Sequence, residues 1–321
     1  MNDSLNFSDD NIMLVTGGAG FIGSNIVKLL VDYGHKVRVL DNLSTGYLKN
    51  IEKFDVDFIK GDICDNDIVQ KAISGVSVVF HLAAHIGNVK SLSNPQEDAH
   101  INIIGTLNIL EASRKLSVKR IIYSSSAAIF GELLTMPIGE DHPQNPDSPY
   151  GVSKLAGEKS VLCFGKLYDI VVVCLRYFNV YGQNQRYDEY GNVIPIFANR
   201  LISGKSLTIY GDGEQTRDFV NVKDVAMANY LAAAKAEKSD VYNVGSGQNI
   251  TINQLAQYIQ LASGISTSIE YAPPRKGEVR HCRADISKIT NKFGFRPDCD
   301  IQKGPKEYFE WFREDFQPTP R

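Results

Sequence analysis

The chain has 321 residues, 22% charged and 43% hydrophobic, with 34 basic and 37 acidic side chains and a formal net charge of −3. That length spans one large or two modest domains, and the composition excludes a disordered, collagen-like or disulfide-dense protein. The mildly acidic balance excludes a broad polybasic surface for nucleic acid or anionic membrane, while leaving room for a local basic pocket around a small anion.

The N-terminal stretch MNDSLNFSDDN is polar and lacks the basic and apolar regions of a secretory signal. No run nears the roughly 18 apolar residues of a membrane span. The odd count of scattered cysteines (Cys64, Cys163, Cys174, Cys282, Cys299) has no C-x-x-C. These features point to a reduced cytoplasmic setting without structural zinc, and the histidines show no metal-ligand spacing.

In chain order, residues 12–16 form a short apolar run that ends at a glycine cluster. Ile22, Ile26, Leu29, Leu30 and Tyr33 then recur at helical spacing until Gly34. Strand-like runs follow at 36–41, 56–60 and 76–82, a helix-like stretch at 101–113 and a strand at 120–124. Helical periodicity spans 150–167, and an apolar strand spans 170–176. Near-continuous apolar strands alternating with helices predict a doubly wound parallel sheet of the Rossmann type in an α/β protein. Beyond residue 177 the loops lengthen around Gly182, Gly191, Gly204, Gly211 and Gly213. Helices are expected at 194–202, after Thr251 (with a Thr251/Gln254 capping box) and at 284–293, and residues 241–244 are expected to rejoin the sheet. The predicted organisation is a dinucleotide-binding domain over 1–176, with 220–244 returning to it. A smaller mixed α/β substrate lobe takes 177–219 and 245–321.

Two constellations carry chemistry. Gly17-Gly18-Ala19-Gly20-Phe21-Ile22-Gly23 follows a strand and opens a helix, so its backbone can approach a pyrophosphate at a positive helix N-terminus. Asp41 ends the next strand and can accept hydrogen bonds from ribose hydroxyls while repelling a 2′-phosphate, which favours NAD over NADP. Tyr150 and Lys154 lie four apart on one helix, downstream of the serine-rich strand end Ser124-Ser125-Ser126. A phenol with a pKa near ~10 is a poor base. A neighbouring ammonium and an oxidised nicotinamide would favour its phenolate, and Ser126 would hold a substrate hydroxyl.

With these motifs the sequence resembles the extended short-chain dehydrogenase/reductases, and within them UDP-sugar 4-epimerases of the UDP-galactose/UDP-N-acetylglucosamine type. The resemblance rests on TGGAGFIG at 16–23, DNLSTG at 41–46, GDI at 61–63, HLAA at 81–84 and SSSAAIFG at 124–131. It continues through PYGVSK at 149–154, RYFNVYG at 176–182, GDGEQTRDFVNVKDV at 211–225 and PRKGEVRHCRADISK at 274–288. It implies NAD contacts from Gly17, Gly20, Phe21, Ile22, Gly23, Asp41, Asn42, Ser44, Thr45, Gly46, Asp62, Ile63, Leu82, Ala83, Ala84, Ser124 and Tyr177, as well as from Tyr150 and Lys154. Tyr150 is the implied base, Lys154 its partner and Ser126 the substrate-hydroxyl serine. Asn179, Asn192, Val193, Arg217 and Arg275 match UDP positions, Thr208 and Tyr210 lie near the uracil, and Glu278 matches a ribose contact. Guanidinium groups suit a diphosphate because they bond it bidentately. Cys282, small where some relatives carry Tyr, implies room for a 2-acetamido group. The implied reaction is C4 inversion of UDP-Glc/UDP-Gal and of UDP-GlcNAc/UDP-GalNAc through a 4-keto sugar, with a homodimer built on a four-helix bundle.

The rivals are nucleotide-sugar dehydratases and decarboxylases, disfavoured by the proton-inert Ser126-Ala127-Ala128. A UDP-glucuronate 4-epimerase is also a rival: Arg186 and Arg280 are potential carboxylate partners, though Asn179 stands where such relatives carry Thr. A non-catalytic NAD-binding protein would lose the Tyr or Lys. The stretch His85-Ile86-Gly87-Asn88 and the stretch Asn184-Gln185-Arg186 depart from the family pattern.

Overall fold

A computed structural model describes residues 11–187, 191–274 and 279–315. The strands are β1 (Ile12–Thr16), β2 (Lys36–Asp41), β3 (Val56–Lys60), β4 (Val76–His81), β5 (Arg120–Ser126), β6 (Val171–Tyr177), β7 (Asn179–Tyr181), β8 (Leu207–Tyr210), β9 (Thr216–Arg217), β10 (Phe219–Asn221), β11 (Asp240–Val244), β12 (Ile250–Thr251) and β13 (Ile269–Ala272). The helices are α1 (Phe21–Asp32), α2 (Asn66–Ile73), α3 (Asn88–Ser93), α4 (Pro95–Ala99), α5 (Thr106–Lys115), α6 (Pro149–Leu167), α7 (Val193–Ile202), α8 (Val222–Lys235), α9 (Ile252–Ser263), α10 (Ser287–Phe293) and α11 (Gly304–Asp315).

Seven strands form one sheet in the order β11-β6-β5-β4-β1-β2-β3, and all of its pairings are parallel. Successive residues of β1 alternate between faces. Met13 and Val15 join the core with α1, α8 and α10, whereas Leu14 joins the core with α2, α5 and α6. Burial on both faces explains why these strands read as continuous apolar runs rather than alternating ones. The chain direction across the sheet reverses between β1 and β4, which opens a crevice beyond their carboxyl ends.

Past β6, three two-stranded pairs (β7 with β10, β9 with β12, β8 with β13) surround a third core. Tyr181, Phe197, Leu207, Leu255, Phe309 and Phe312 lie in it. The capping box at Thr251 and Gln254 is formed, with both reciprocal bonds present.

The structure shifts some expected boundaries. The helix expected from 101 begins as a π-turn over His100–Gly105 and continues as α5. Residues 284–286 stay out of α10 because tertiary partners claim their amides: Ala284 N bonds Asp218 Oδ2 (3.0 Å) and Asp285 N bonds Ile138 O (2.9 Å). β5 runs on through Ser126. Helices α2, α3, α4, α8 and α11 emerge where no element was expected. α8 is alanine-rich and buried on several sides, so its periodicity is faint.

Candidate active site

β1 delivers the glycine turn into the crevice. Gly17 has φ +69°, and a Cβ there would meet Ala83 N at 2.8 Å, so a side chain is excluded by both conformation and space. Gly17 N bonds Leu40 O (2.8 Å) and Gly20 N bonds Gly17 O (3.1 Å), which closes the turn. Helix α1 then starts with no side-chain cap at Gly20. Its first amides are left for an anion, the arrangement a pyrophosphate requires. Leu82 N and Ala83 N both bond Thr16 Oγ1 (3.1 and 3.2 Å), tying the loop after β4 to the turn.

Asp41 already accepts Ala19 N (2.9 Å) and Leu43 N (2.7 Å). Its carboxylate therefore braces the turn with lone pairs to spare for ribose hydroxyls. Burial pushes its pKa up, against those two amide bonds. Asn42 Nδ2 bonds Asp62 Oδ2 (2.8 Å), and Ser44 N bonds Asn42 Oδ1 (2.9 Å). Gly46 lies against Ala19, where a Cβ would sit 2.9 Å from the carbonyl carbon. Thr45 belongs to the same loop. Ile63 packs on Gly105, and its carbonyl accepts Asn108 Nδ2 (3.0 Å). The residues fit a dinucleotide.

Next to the turn, β5 and α6 bring the second constellation together. Ser148 caps α6, its side chain accepting Gly151 N (3.1 Å), and Pro149 fills the first helical position, which places Tyr150 in the first turn. Gly157 lets α6 lie against β5, since a Cβ would sit 2.2 Å from Tyr123 Oη. Burial pushes the Tyr150 phenol up, a hydrogen bond with Ser126 pulls it down, and Asp98 adds to the rise. Lys154 is buried, with Nζ 4.6 Å from the centre of the Tyr123 ring. Burial brings its pKa down to about 8, with Asp98, Cys174 and Glu158 opposing the fall. His81 is pushed down to about 3 by burial and by the Lys154 charge, so it stays neutral, paired with Thr16 Oγ1 (2.7 Å) and Thr106 Oγ1 (3.0 Å). Ser124 bonds the Tyr177 hydroxyl, which also donates to Asn229 Oδ1 (2.9 Å).

The expected nucleotide residues lie beyond this pair. Asn179 on β7 is fixed through Nδ2 to Asp218 O (3.1 Å). Asn192 is the cap residue of α7 without a side-chain cap bond, and Val193 begins that helix. Thr208 and Tyr210 lie on β8, which pairs with β13. Arg217 ends β9, its Nη1 donating to the Thr216 carbonyl (2.9 Å). Cys282 is buried with Ile129, Phe130, Ile138 and Phe178, and its thiol is pushed up to about 11, first by burial and then by Asp218. Arg275 and Glu278 lie outside the described residues. Arg186 and Arg280 are both engaged. Arg186 pairs with Asp315 (3.1 Å) and stacks on Tyr47 with its guanidinium carbon 3.6 Å from the ring centre. Arg280 is bidentate with Asp212 (2.7 and 2.8 Å).

Several buried groups around the pair escaped the sequence reading. Glu158, one turn after Lys154, accepts Ser125 Oγ (2.6 Å) and Arg176 Nε and Nη2 (3.0 and 2.7 Å). Asp98, Asn102 and Ser153 form a second cluster. Only the Lys154/Glu158 spacing on α6 signalled any of this. Among the described residues no group of His, Cys, Asp and Glu forms a metal-ligand set, and no helix is long and apolar enough to cross a membrane.

Residues 13–245 match the NAD dependent epimerase/dehydratase family. A putative UDP-glucose 4-epimerase of Methanocaldococcus jannaschii is 41% identical over 306 residues, covering 95% of this chain and 99% of that protein. The UDP-glucose 4-epimerase of Thermotoga maritima, solved with UDP-glucose, superposes with a TM-score of 0.90 at 39% identity, covering 95% of this chain and 99% of that one. A UDP-N-acetylglucosamine 4-epimerase of Methanobrevibacter ruminantium, solved with UDP-N-acetylmuramic acid, gives 0.91 at 37% identity, covering 97% and 100%.

Proposed function

Because the chain belongs to the NAD dependent epimerase/dehydratase family, we propose that it inverts C4 of a UDP-hexose through a 4-keto sugar, with Tyr150 as the base. The observation that carries this reading is Tyr150 in the first turn of α6, one helical turn from the buried Lys154 and next to Ser126 at the end of β5, beside a turn that fits a dinucleotide. Bound NAD supplies a reversible hydride acceptor. Tyr150 takes the proton of the sugar 4-hydroxyl and later returns it, Ser126 holds that hydroxyl, and the Lys154 ammonium stabilises the phenolate. Gly17, Gly20, Phe21, Ile22, Gly23, Asp41 and the 42–46 loop hold the dinucleotide. Arg217, with Asn179, Asn192, Val193, Thr208 and Tyr210, holds UDP. The sheet and the lobe after β6 then divide the work between cofactor and nucleotide sugar.

Residues 127 and 128 are both alanine, so the stretch after Ser126 offers no acid or base for eliminating water. The engagement of Arg186 by Asp315 and of Arg280 by Asp212 leaves neither guanidinium assigned to a hexuronate carboxylate. Both observations favour a neutral hexose. Cys282 in place of a bulkier side chain favours acceptance of a 2-acetamido group. Exposed Leu92, Ile104 and Val152, on α3, the π-turn and α6, favour a homodimer formed through this helical face.

The test incubates the NAD-loaded protein with UDP-glucose, UDP-GlcNAc and UDP-glucuronate and follows C4 inversion by NMR. Turnover of the first two is expected, and conversion of the glucuronate alone refutes the substrate assignment. Tyr150→Phe is expected to lower kcat by ~10²–10⁴-fold, and near-normal turnover in that variant refutes the base.

A further inference from the structure

The Asp98 side chain, at the end of α4, has no exposed surface, and its carboxylate sits where three segments meet. Oδ2 accepts the hydroxyl of Ser153. Oδ1 faces Nδ1 of His85 at 3.3 Å and accepts Nδ2 of Asn102 at 3.2 Å. Asn102 closes the network: its Nδ2 reaches Ser153 Oγ (3.0 Å) and the His85 carbonyl (3.0 Å), and its Oδ1 accepts the His85 amide (2.7 Å). Ser153 stands between Tyr150 and Lys154 on α6 and also contacts the Tyr150 carbonyl (3.1 Å). One carboxylate thereby joins the loop after β4, the π-turn and the first turn of α6.

A buried carboxylate costs several kcal/mol unless it is paired and hydrogen-bonded, so its presence asks for a return. The groups it acts on are Tyr150 and Lys154, both of which feel its charge. We propose that Asp98 is a positioning residue for the Tyr150–Lys154 pair: through Ser153 it fixes the first turn of α6, and its charge holds the Lys154 ammonium in place. The proposal rests on the reading of Tyr150 as base. The remaining ionisable or polar neighbours of the pair are His81 on β4, Tyr123 and Ser126 on β5, Glu158 on α6 and Cys174 on β6. His81 is neutral across the working range, which leaves Asp98 and Glu158 as the negative charges on the pair.

The experiment is Asp98→Asn in the NAD-loaded enzyme. The amide keeps the shape and loses the charge, so phenolate becomes easier to form and ammonium harder to keep. Both limbs of the kcat–pH profile are expected to move to lower pH, with kcat down about tenfold, the equivalent of one pKa unit, and KM for UDP-glucose within twofold. A merely structural role lowers kcat without moving the profile, and an unmoved profile overturns the proposal. Ser153→Ala keeps the charge and loses the anchor, so its kcat falls several-fold with the profile in place. Should Asp98→Asn not fold, Ser153→Ala decides alone, and wild-type kcat in it overturns the proposal. Tyr150→Phe assayed in parallel separates the two readings: an active Tyr150→Phe defeats the base, whereas an inactive one beside a wild-type-like Asp98→Asn defeats only the role of Asp98.

Discussion

Lys154 sets the alkaline limit of the chemistry. Its pKa, lowered by burial to about 8, lies well below that of a free lysine, so the ammonium is present below about 8 and lost as pH rises through it. Activity is therefore expected to fall on the alkaline side of about 8 in a kcat profile taken across neutral and alkaline pH. Whatever rate Lys154→Arg retains should persist to higher pH, because guanidinium keeps its proton. Cys282 tests substrate choice. Cys282→Tyr is expected to cut UDP-GlcNAc turnover at least about tenfold while UDP-glucose stays within threefold. Equal losses on the two sugars would remove the gate, and a melting curve separates specificity from overpacking at this buried site. The glycine turn and the Tyr150/Lys154 pair were legible because each lies within one turn or one helical repeat. Asp98 and Ser153 are 55 residues apart, and Glu158 and Arg176 are 18 apart on different elements, so beyond the Lys154/Glu158 spacing nothing local announced either cluster.

At the scale of elements, α6 carries most of the site and is held at its start and its middle. Ser148 and Pro149 start it, and the Glu158–Arg176 ion pair, with both side chains essentially unexposed, ties it to β6. Arg176 also donates to the Glu140 carbonyl (2.8 Å). Replacing Arg176 by Met leaves a buried carboxylate without its partner, which is expected to destabilise the protein by about 3–5 kcal/mol in urea unfolding. Adding Glu158→Leu should recover part of that loss, because an apolar pair leaves no charge stranded. The parallel strands were legible from their apolar runs, and the α9 cap from the Thr251/Gln254 spacing. α8 was not, since an alanine-rich helix packed against α1, β5 and β6 shows little contrast between its faces. The late start of α10 was equally hidden, because it depends on Asp218 and Ile138, distant in the chain.

For the whole molecule, the two halves are joined by more than the backbone. Arg186 and Lys49 both reach Asp315 at the end of α11, and Arg186 stacks on Tyr47 in the loop beside the glycine turn. The exposed apolar face of α3, the π-turn and α6 carries the dimer proposal. Val152→Glu is expected to shift sedimentation toward monomer while the melting curve of the fold persists. That the later chain returns to the sheet was legible in the apolar stretch at 241–244, whereas the small paired strands of the lobe were not, being two to four residues long. The return has a consequence for biosynthesis. β11 pairs along the outer side of β6 from Val173 to Tyr177, yet it leaves the ribosome about 60 residues later, several seconds at ordinary elongation rates. Through that interval β6 is an open, apolar sheet edge, the kind that templates association between chains. A chain truncated near residue 180 is accordingly expected to bind chaperones and to aggregate, whereas one extended past α10 should resist both.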